Sequence, residues 1–255
     1  MIGILLSSIA NNPRINSETI LNNSWIYRLM YLLKLDIAIN NNLYVRDPQA
    51  TKLGRKIIKE SVLIIDAIGL EQFTFKKLAA KIDSTETSIY RYFENKHQIF
   101  VYLLNWYWEW VWHRLELNNM NITNPVDKLK IAMGIISDVK KRNTELAYID
   151  EECLHRIVIM EGAKGYHHKL VDEDNKEGFF LAYKKLCAKL ASYIEEINPQ
   201  YLYPKAVASM LIETANNNLY FAEYLPRLTD LDGKRNDIAL QVEKLLETIV
   251  FKLLE

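Results

Sequence analysis

The sequence has few of the residues that shape loop-rich or disulfide-bonded folds. Its 255 residues include only 8 glycines, 6 prolines and 2 cysteines. So few turn-forming residues argue against a β-sandwich or another loop-rich fold. Cys153 and Cys187 cannot build a disulfide framework, and neither lies in a cluster with metal-ligand spacing. We therefore expect a cytoplasmic protein with two buried, reduced thiols.

The sequence also lacks a long apolar run and an excess of charge of either sign. No stretch of about 18 uncharged apolar residues exists, so we predict no contact with the membrane. Met1–Ala10 is apolar but has no basic segment before it, which makes a poor signal peptide. Basic and acidic residues balance at 32 each. Residues 50–100 carry nine basic against six acidic side chains, a net charge of +3 that is too small to indicate DNA binding alone.

Apolar residues three and four positions apart predict helices through most of the chain, and thus an all-α fold. In the first half we predict helices over 52–68, 75–82, 85–93 and 96–117. Gly69 is placed to end the first helix, because glycine readily adopts a positive φ. Thr74 and Asn95 are placed to cap the second and fourth helices. The sequence 82–85 forms a tight turn between the second and third helices.

The rest of the chain predicts five more helices, at about 125–142, 144–161, 176–197, 204–224 and 235–254. We divide the chain into an N-terminal extension over 1–45, a helix-turn-helix DNA-binding domain over 46–105, and a helical ligand-sensing and dimerisation domain over 106–255. The extension carries no recognisable chemistry, although 25–39 has the pattern of a short amphipathic helix.

Two short helices joined by a tight turn, after a longer helix, are typical of a helix-turn-helix that places its last helix in the major groove of DNA. The second helix directs Phe75, Leu78 and Ile82 to the core, and the third directs Ile89 and Phe93. The polar and aromatic residues left over are the candidate DNA contacts. They are Thr74, Lys76, Thr85, Glu86, Thr87, Tyr90, Arg91, Tyr92 and Lys96.

The residues 73–79 (FTFKKLA) and 88–96 (SIYRYFENK) resemble the DNA-binding domain of the TetR family of transcriptional regulators. The likeness covers about residues 53–100, a fifth of the chain, and the sequence Tyr-x-Tyr-Phe with a lysine three residues later is its most specific part. The resemblance implies an all-helical homodimer that binds operator DNA and senses a small molecule in its C-terminal domain. It also implies a repressor that the ligand releases.

Two residues depart from the pattern of that family. Asp83 replaces the usual glycine of the turn, but aspartate tolerates the left-handed region better than most residues. Glu86 replaces the usual basic residue at the start of the third helix. A carboxylate there favours the helix dipole and can accept a hydrogen bond from cytosine, although it repels phosphates. We interpret Glu86 as a change in operator preference.

The individual DNA contacts have structural alternatives. Tyr90 and Tyr92 are predicted to donate hydroxyls to phosphates, which fixes register rather than sequence, but both can instead pack at a helix surface. Arg91 points to DNA or away from it depending on the phase of the helix. Lys96, at the start of the fourth helix, is predicted to hold a phosphate.

Other conspicuous residues are assigned mainly structural rather than catalytic or metal-binding roles. Trp106, Trp108, Trp110 and Trp112 are spaced by two on one helix and so cannot share a face; we expect part core and part ligand pocket. The pair His167-His168 invites a metal site, but adjacent histidines diverge on a helix and no acidic or cysteine partner has suitable spacing. The acidic run 172–174 is predicted to be a solvated loop. We therefore predict neither a metal nor another cofactor, and we assign no ligand contacts.

The last two helices, near 204–224 and 235–254, are predicted to form the homodimer interface. Apolar residues occupy more of the surface of the final helix than a single core-facing stripe requires. We therefore expect a second face of this helix to be buried. The leading function is a sequence-specific transcriptional regulator released from operator DNA by a small molecule. The alternative is a helical interaction protein that keeps the fold without binding DNA. An enzyme is disfavoured, because no nucleophile–base pair, metal cluster or phosphate loop is recognisable.

Overall fold

The computed structural model describes residues 37–138 and 148–255, which contain α-helices, short 3-10 helices and no strand. The helices are α1 (Lys52–Gln72), α2 (Phe75–Lys81), α3 (Glu86–Tyr90), α4 (Lys96–Asn119), α5 (Pro125–Ser137), α6 (Glu151–Glu161), α7 (Val171–Lys176), α8 (Leu181–Ile197), α9 (Pro204–Tyr224) and α10 (Ile238–Leu254). The predicted all-α fold is confirmed. The predicted extension over 1–45 lies outside the described residues except for its last nine.

Local capping chemistry sets the boundaries of the first four helices. Gly69 has φ 76° and ψ 160° inside α1, so the regular helix ends where the sequence predicted. The side chains of Thr74, Thr85 and Asn95 each accept a hydrogen bond from the backbone N–H three residues later, at 3.2, 3.2 and 2.9 Å. These bonds satisfy N–H groups that have no partner within the helix. The predicted caps at 74 and 95 are therefore confirmed.

Helix boundaries in the second half differ from the predictions. Helix α5 ends at Ser137 rather than near 142, because Asp138 has extended backbone angles. Helix α6 begins at Glu151, where the Asp150 side chain accepts from Cys153 N–H and caps the first turn. The acidic run 172–174 is not a loop but lies in the short helix α7, which no local pattern predicted.

Helix α4 runs through the core and joins the two halves of the described chain. Trp106, Trp108 and Trp110 are at most 7% exposed, so three of the four tryptophans on α4 belong to the core. Trp112 is partly exposed, and the ammonium of Lys185 lies 4.1 Å from its ring centroid. The helix that connects the helix-turn-helix to the C-terminal helices is therefore packed on several sides by buried rings.

The helices of the described ranges include none long and apolar enough to cross a membrane.

Candidate nucleic-acid interface

Helices α2 and α3 and the turn between them form a helix-turn-helix. Asp83 adopts φ 53° in the turn, a left-handed conformation that favours glycine. The amide of Ser84 donates to the Ala79 carbonyl at 2.9 Å and closes the turn. Ala79 and Ile89 are buried beneath it, so small and branched side chains allow the two helices to cross closely.

Most of the predicted DNA contacts are exposed, on this unit or next to it. The exposed members are Thr74, Lys76, Thr85, Glu86, Thr87, Tyr90, Arg91 and Lys96. Tyr90 is 51% exposed, and its ring packs edge-on against Phe75 with centroids 4.9 Å apart. The packing holds the ring while the hydroxyl remains at the surface. This arrangement suits a hydroxyl that donates to a phosphate oxygen.

Tyr92 departs from the prediction. Its side chain is only 3% exposed, and its hydroxyl forms a 2.8 Å hydrogen bond with Thr51 Oγ1 at the start of α1. Helix α3 ends at Tyr90, two residues before Tyr92, so the chain turns and directs this ring inward. The guanidinium of Arg46 lies 5.6 Å from the ring centroid. In this position Tyr92 joins helices rather than contacting DNA, and we remove it from the candidate contacts.

Lys96 is exposed, but its ammonium already donates two hydrogen bonds within the protein. Nζ donates to the carbonyl oxygens of Leu70 and Glu71 at 3.2 and 3.1 Å, just after the end of the regular part of α1. An ammonium has three N–H donors, so one remains for a phosphate. Lys96 therefore fixes the start of α4 to the end of α1 whether or not it also contacts DNA.

Sequence reasoning missed a basic residue that shapes the site. Lys56 on α1 donates from Nζ to the carbonyl of Ile82 at 2.7 Å, which ties α1 to the turn between α2 and α3.

The start of α1 also requires a glycine, since a Cβ on Gly54 would lie 2.3 Å from the carbonyl oxygen of Pro48. The chain before α1 packs directly on that helix, and only the absence of a side chain permits it.

Two contacts connect the end of α1 to α6 of the C-terminal half. Arg156 donates from Nε and Nη2 to the two carboxylate oxygens of Asp66 at 3.0 and 2.7 Å. Hydrogen bonding to Asp66 raises the pKa of the Arg156 guanidinium, so this guanidinium stays protonated. Further on, the Leu70 N–H donates to Glu161 Oε1 at 3.2 Å. Both contacts act within four residues of Gly69, where the regular helix ends.

Arg156 also lines a surface cavity of about 220 Å³ between α6, α9 and the start of α10. The lining combines apolar, aromatic and charged side chains: Glu152, Arg156, Ile159, Met160, Leu219, Tyr220, Glu223, Tyr224, Gly233 and Ile238. A group that binds here reaches the same guanidinium that holds Asp66. No sequence pattern identified this cavity, because its walls come from distant segments.

Cys153 and Cys187, predicted to be buried thiols, are both intermediate in exposure. Burial and a hydrogen bond with Asp66 raise the pKa of the Cys153 thiol to about 12. Burial likewise raises the pKa of Cys187 to about 11. A thiol that stays protonated is a poor nucleophile, so neither residue has the environment of a reactive cysteine.

Comparisons with solved structures support the fold. The chain is similar to AibR in its crystal structure with isovaleryl coenzyme A and operator DNA, with 15% sequence identity and a TM-score of 0.54. That match covers 77% of this chain and 98% of the AibR chain. The crystal structure of apo AibR matches with 16% identity and a TM-score of 0.48, over 75% of this chain and 96% of that one. No family model and no curated protein matches the sequence. The likeness to the DNA-bound AibR structure, with a TM-score above 0.5, shows a shared fold alone, in agreement with the all-helical fold that the TetR resemblance implies.

Proposed function

We propose that this protein is a cytoplasmic, homodimeric transcriptional regulator that binds operator DNA through α2 and α3 and releases it when a small molecule binds. In this proposal residues 46–105 bind DNA, and 106–255 sense the ligand and dimerise. The observation that carries the proposal is the exposed polar face of α3, held by the Thr85 cap and the left-handed Asp83. The AibR crystal structure, which contains both operator DNA and an acyl coenzyme A, supports it through the shared fold.

The route from ligand to DNA runs through Arg156. A ligand changes DNA affinity only if it binds one conformation more tightly than the other. A ligand in the 220 Å³ cavity that draws Arg156 away from Asp66 would remove one of the two contacts between the end of α1 and α6, and α1 holds the turn through Lys56. The cavity is smaller than typical ligand pockets of about 300–1,000 Å³, so a larger effector requires it to open.

A selection from random duplex DNA tests this function. We expect the purified protein to enrich a palindromic motif, because a two-fold dimer reads two equivalent half-sites. The test variant is Thr87→Ala with Arg91→Ala, which changes two exposed side chains at α3. The matched control is Thr123→Ala with Lys176→Ala, which changes two exposed side chains outside the helices proposed for DNA binding and dimerisation. Enrichment that survives in the control and disappears in the test variant supports the proposal.

The alternative function is a helical interaction protein that keeps the fold without binding DNA. Glu86 favours this alternative, because an exposed carboxylate at the start of α3 repels phosphates. A folded dimer that enriches no motif, and whose weak DNA affinity is insensitive to salt, would establish the alternative. A steep decrease of affinity with salt would instead indicate phosphate contacts, since these release counterions.

A further inference from the structure

His97, His168 and Asp174 meet at the junction between the start of α4 and the segment around α7. Asp174 Oδ2 lies 2.7 Å from His97 Nε2 and 3.2 Å from His168 Nε2. One ligand atom from each residue lies within 4.8 Å of the other two. Local sequence spacing indicates no acidic partner for His168. The fold supplies one in Asp174 and adds a histidine that is 71 residues away in the sequence.

The polar groups of this cluster are left incompletely satisfied. The Asp174 side chain is only 13% exposed, and its ion-pair partners among the described residues are the two imidazoles. His168 Nε2 is buried and not aligned for a hydrogen bond with Asp174, so it has no hydrogen-bond partner in the described part of the chain. A buried ring nitrogen without a partner is costly, and so is a carboxylate with little solvent.

We propose that these three residues bind a divalent first-row transition metal ion such as Zn²⁺. Two imidazoles and one carboxylate are a ligand set that this ion prefers, whereas Mg²⁺ and Ca²⁺ prefer oxygen ligands. Bonds of about 2.0–2.2 Å in tetrahedral geometry separate the ligand atoms by about 3.4 Å. Small side-chain rotations would bring the present separations to that value. The His97 side chain is 36% exposed, which leaves a fourth position for water.

Metal binding requires one local rearrangement, the loss of a hydrogen bond between Leu170 and His168. The Leu170 N–H now donates to His168 Nδ1 at 3.2 Å, so neutral His168 carries its proton on Nε2. Coordination through Nε2 displaces that proton and leaves the ring protonated on Nδ1. The Leu170 hydrogen bond must then break. The metal-free and metal-bound forms therefore differ at the turn before α7.

The position of the cluster gives the metal a structural consequence. His97 follows Lys96, whose ammonium holds the end of α1, and Asp174 lies in the C-terminal half. An ion bound to both would link the start of α4 to α7 independently of the Arg156–Asp66 pair. The ion would then bias the orientation of the helix-turn-helix.

Titration of the metal-free full chain with Co²⁺ tests the site, since tetrahedral Co²⁺ absorbs visible light and reports on Zn²⁺ sites. We expect one ion per chain, displaced by Zn²⁺, and slower hydrogen exchange at the start of α4. His97→Gln, His168→Gln and Asp174→Asn should each weaken binding by more than about 100-fold, because losing even an outer-shell partner costs about 10- to 100-fold. The matched control is His167→Gln, an exposed neighbour outside the cluster.

Two results would overturn the proposal. One is the absence of Co²⁺ binding by the folded wild-type chain, and the other is binding that is unchanged in His97→Gln and His168→Gln. Circular dichroism of each variant separates loss of a ligand from loss of the fold. The titration contains no DNA, so failure of this site leaves the proposed regulatory function intact, and failure to bind DNA leaves the site intact.

Discussion

The guanidinium of Arg156 on α6 donates two parallel hydrogen bonds to the carboxylate of Asp66 on α1, at 3.0 and 2.7 Å. Planar guanidinium and carboxylate groups match in this geometry, which gives more specificity than a single ion pair. Asp66 lies three residues before Gly69, where the regular part of α1 ends. The pair therefore attaches the C-terminal end of α1 to a wall of the surface cavity.

The first prediction is a favourable coupling energy between these two side chains. We expect the cycle of Asp66→Asn, Arg156→Gln and the double variant to give about 1 kcal/mol in urea denaturation. The estimate is modest because Arg156 is 35% exposed, and solvent weakens the pair. The control cycle uses Lys252 and Glu255, which are 77% and 67% exposed and should give coupling near zero. Equal coupling in the two cycles would contradict the assigned role.

The second prediction separates the roles of Tyr90 and Tyr92. Tyr90→Phe keeps the ring against Phe75 and removes an exposed hydroxyl, so DNA affinity should fall while stability is unchanged. Tyr92→Phe removes the 2.8 Å hydrogen bond with Thr51, so the free energy of unfolding should fall by about 1 kcal/mol. DNA titrations and denaturant unfolding of both variants measure the contrast. The reverse pattern would return Tyr92 to the DNA interface and remove Tyr90 from it.

The third prediction concerns the backbone at Gly69. Its φ of 76° and ψ of 160° belong to a region that residues with a Cβ rarely occupy, and a Cβ would lie 3.2 Å from Glu161 Oε1. We expect Gly69→Ala to lower the free energy of unfolding by about 1–3 kcal/mol. Gly162→Ala is the control, since Gly162 has helical angles and its Cβ would lie 3.7 Å from Val158. Similar losses in both variants would show that the Gly69 conformation is not the cause.

The parts of the fold that sequence predicted correctly depend on local chemistry. Thr74 and Asn95 cap helices through residues three positions away, and Asp83 takes the positive φ that a short turn requires. Each of these caps and turn conformations depends on a few adjacent residues, so each can be predicted from the sequence alone. The same applies to Gly69, whose lack of a side chain permits the backbone to leave the helix.

The parts that sequence did not predict depend on distant contacts or on helix phase. Tyr92 was assigned to the surface because α3 was expected to continue to Phe93; the helix ends at Tyr90 and the ring turns inward. The 3.2 Å approach of His168 to Asp174 needs the turn into α7, and His97 joins them from α4. Helix propensity and hydrophobic periodicity do not predict such long-range contacts, because tertiary packing produces them.

The fourth prediction concerns the outer face of α10. The inner face contributes Val242, Leu246, Val250 and Leu254 to the core of the chain itself. A second apolar stripe includes partly exposed Ile249 and 44% exposed Leu253. We expect Ile249→Glu with Leu253→Glu to convert a dimer into a monomer, because charges at a buried interface cost more than exposed ones.

Sedimentation velocity at micromolar concentration measures this change. The control is Leu228→Glu, which adds a charge at another exposed leucine (62% exposed) and should leave the dimer intact. A wild-type chain that sediments as a monomer would contradict both the interface and the dimeric part of the proposed function.

The fifth prediction is a loss of stability in mild acid that depends on His155. This imidazole is buried and stacks on Tyr107 with ring centroids 5.5 Å apart, and burial lowers its pKa to about 4 from the ordinary 6.5. Below pH 6.5 the unfolded chain binds a proton that the folded chain does not bind until about pH 4. Between pH 7 and pH 5 this difference should remove about 2 kcal/mol of stability.

Urea unfolding at both pH values should show the loss in wild type and in the exposed control His167→Gln. His155→Phe keeps a stacked ring that cannot titrate, so its stability should fall by about 2 kcal/mol less; an equal decline would show that other groups cause the acid sensitivity.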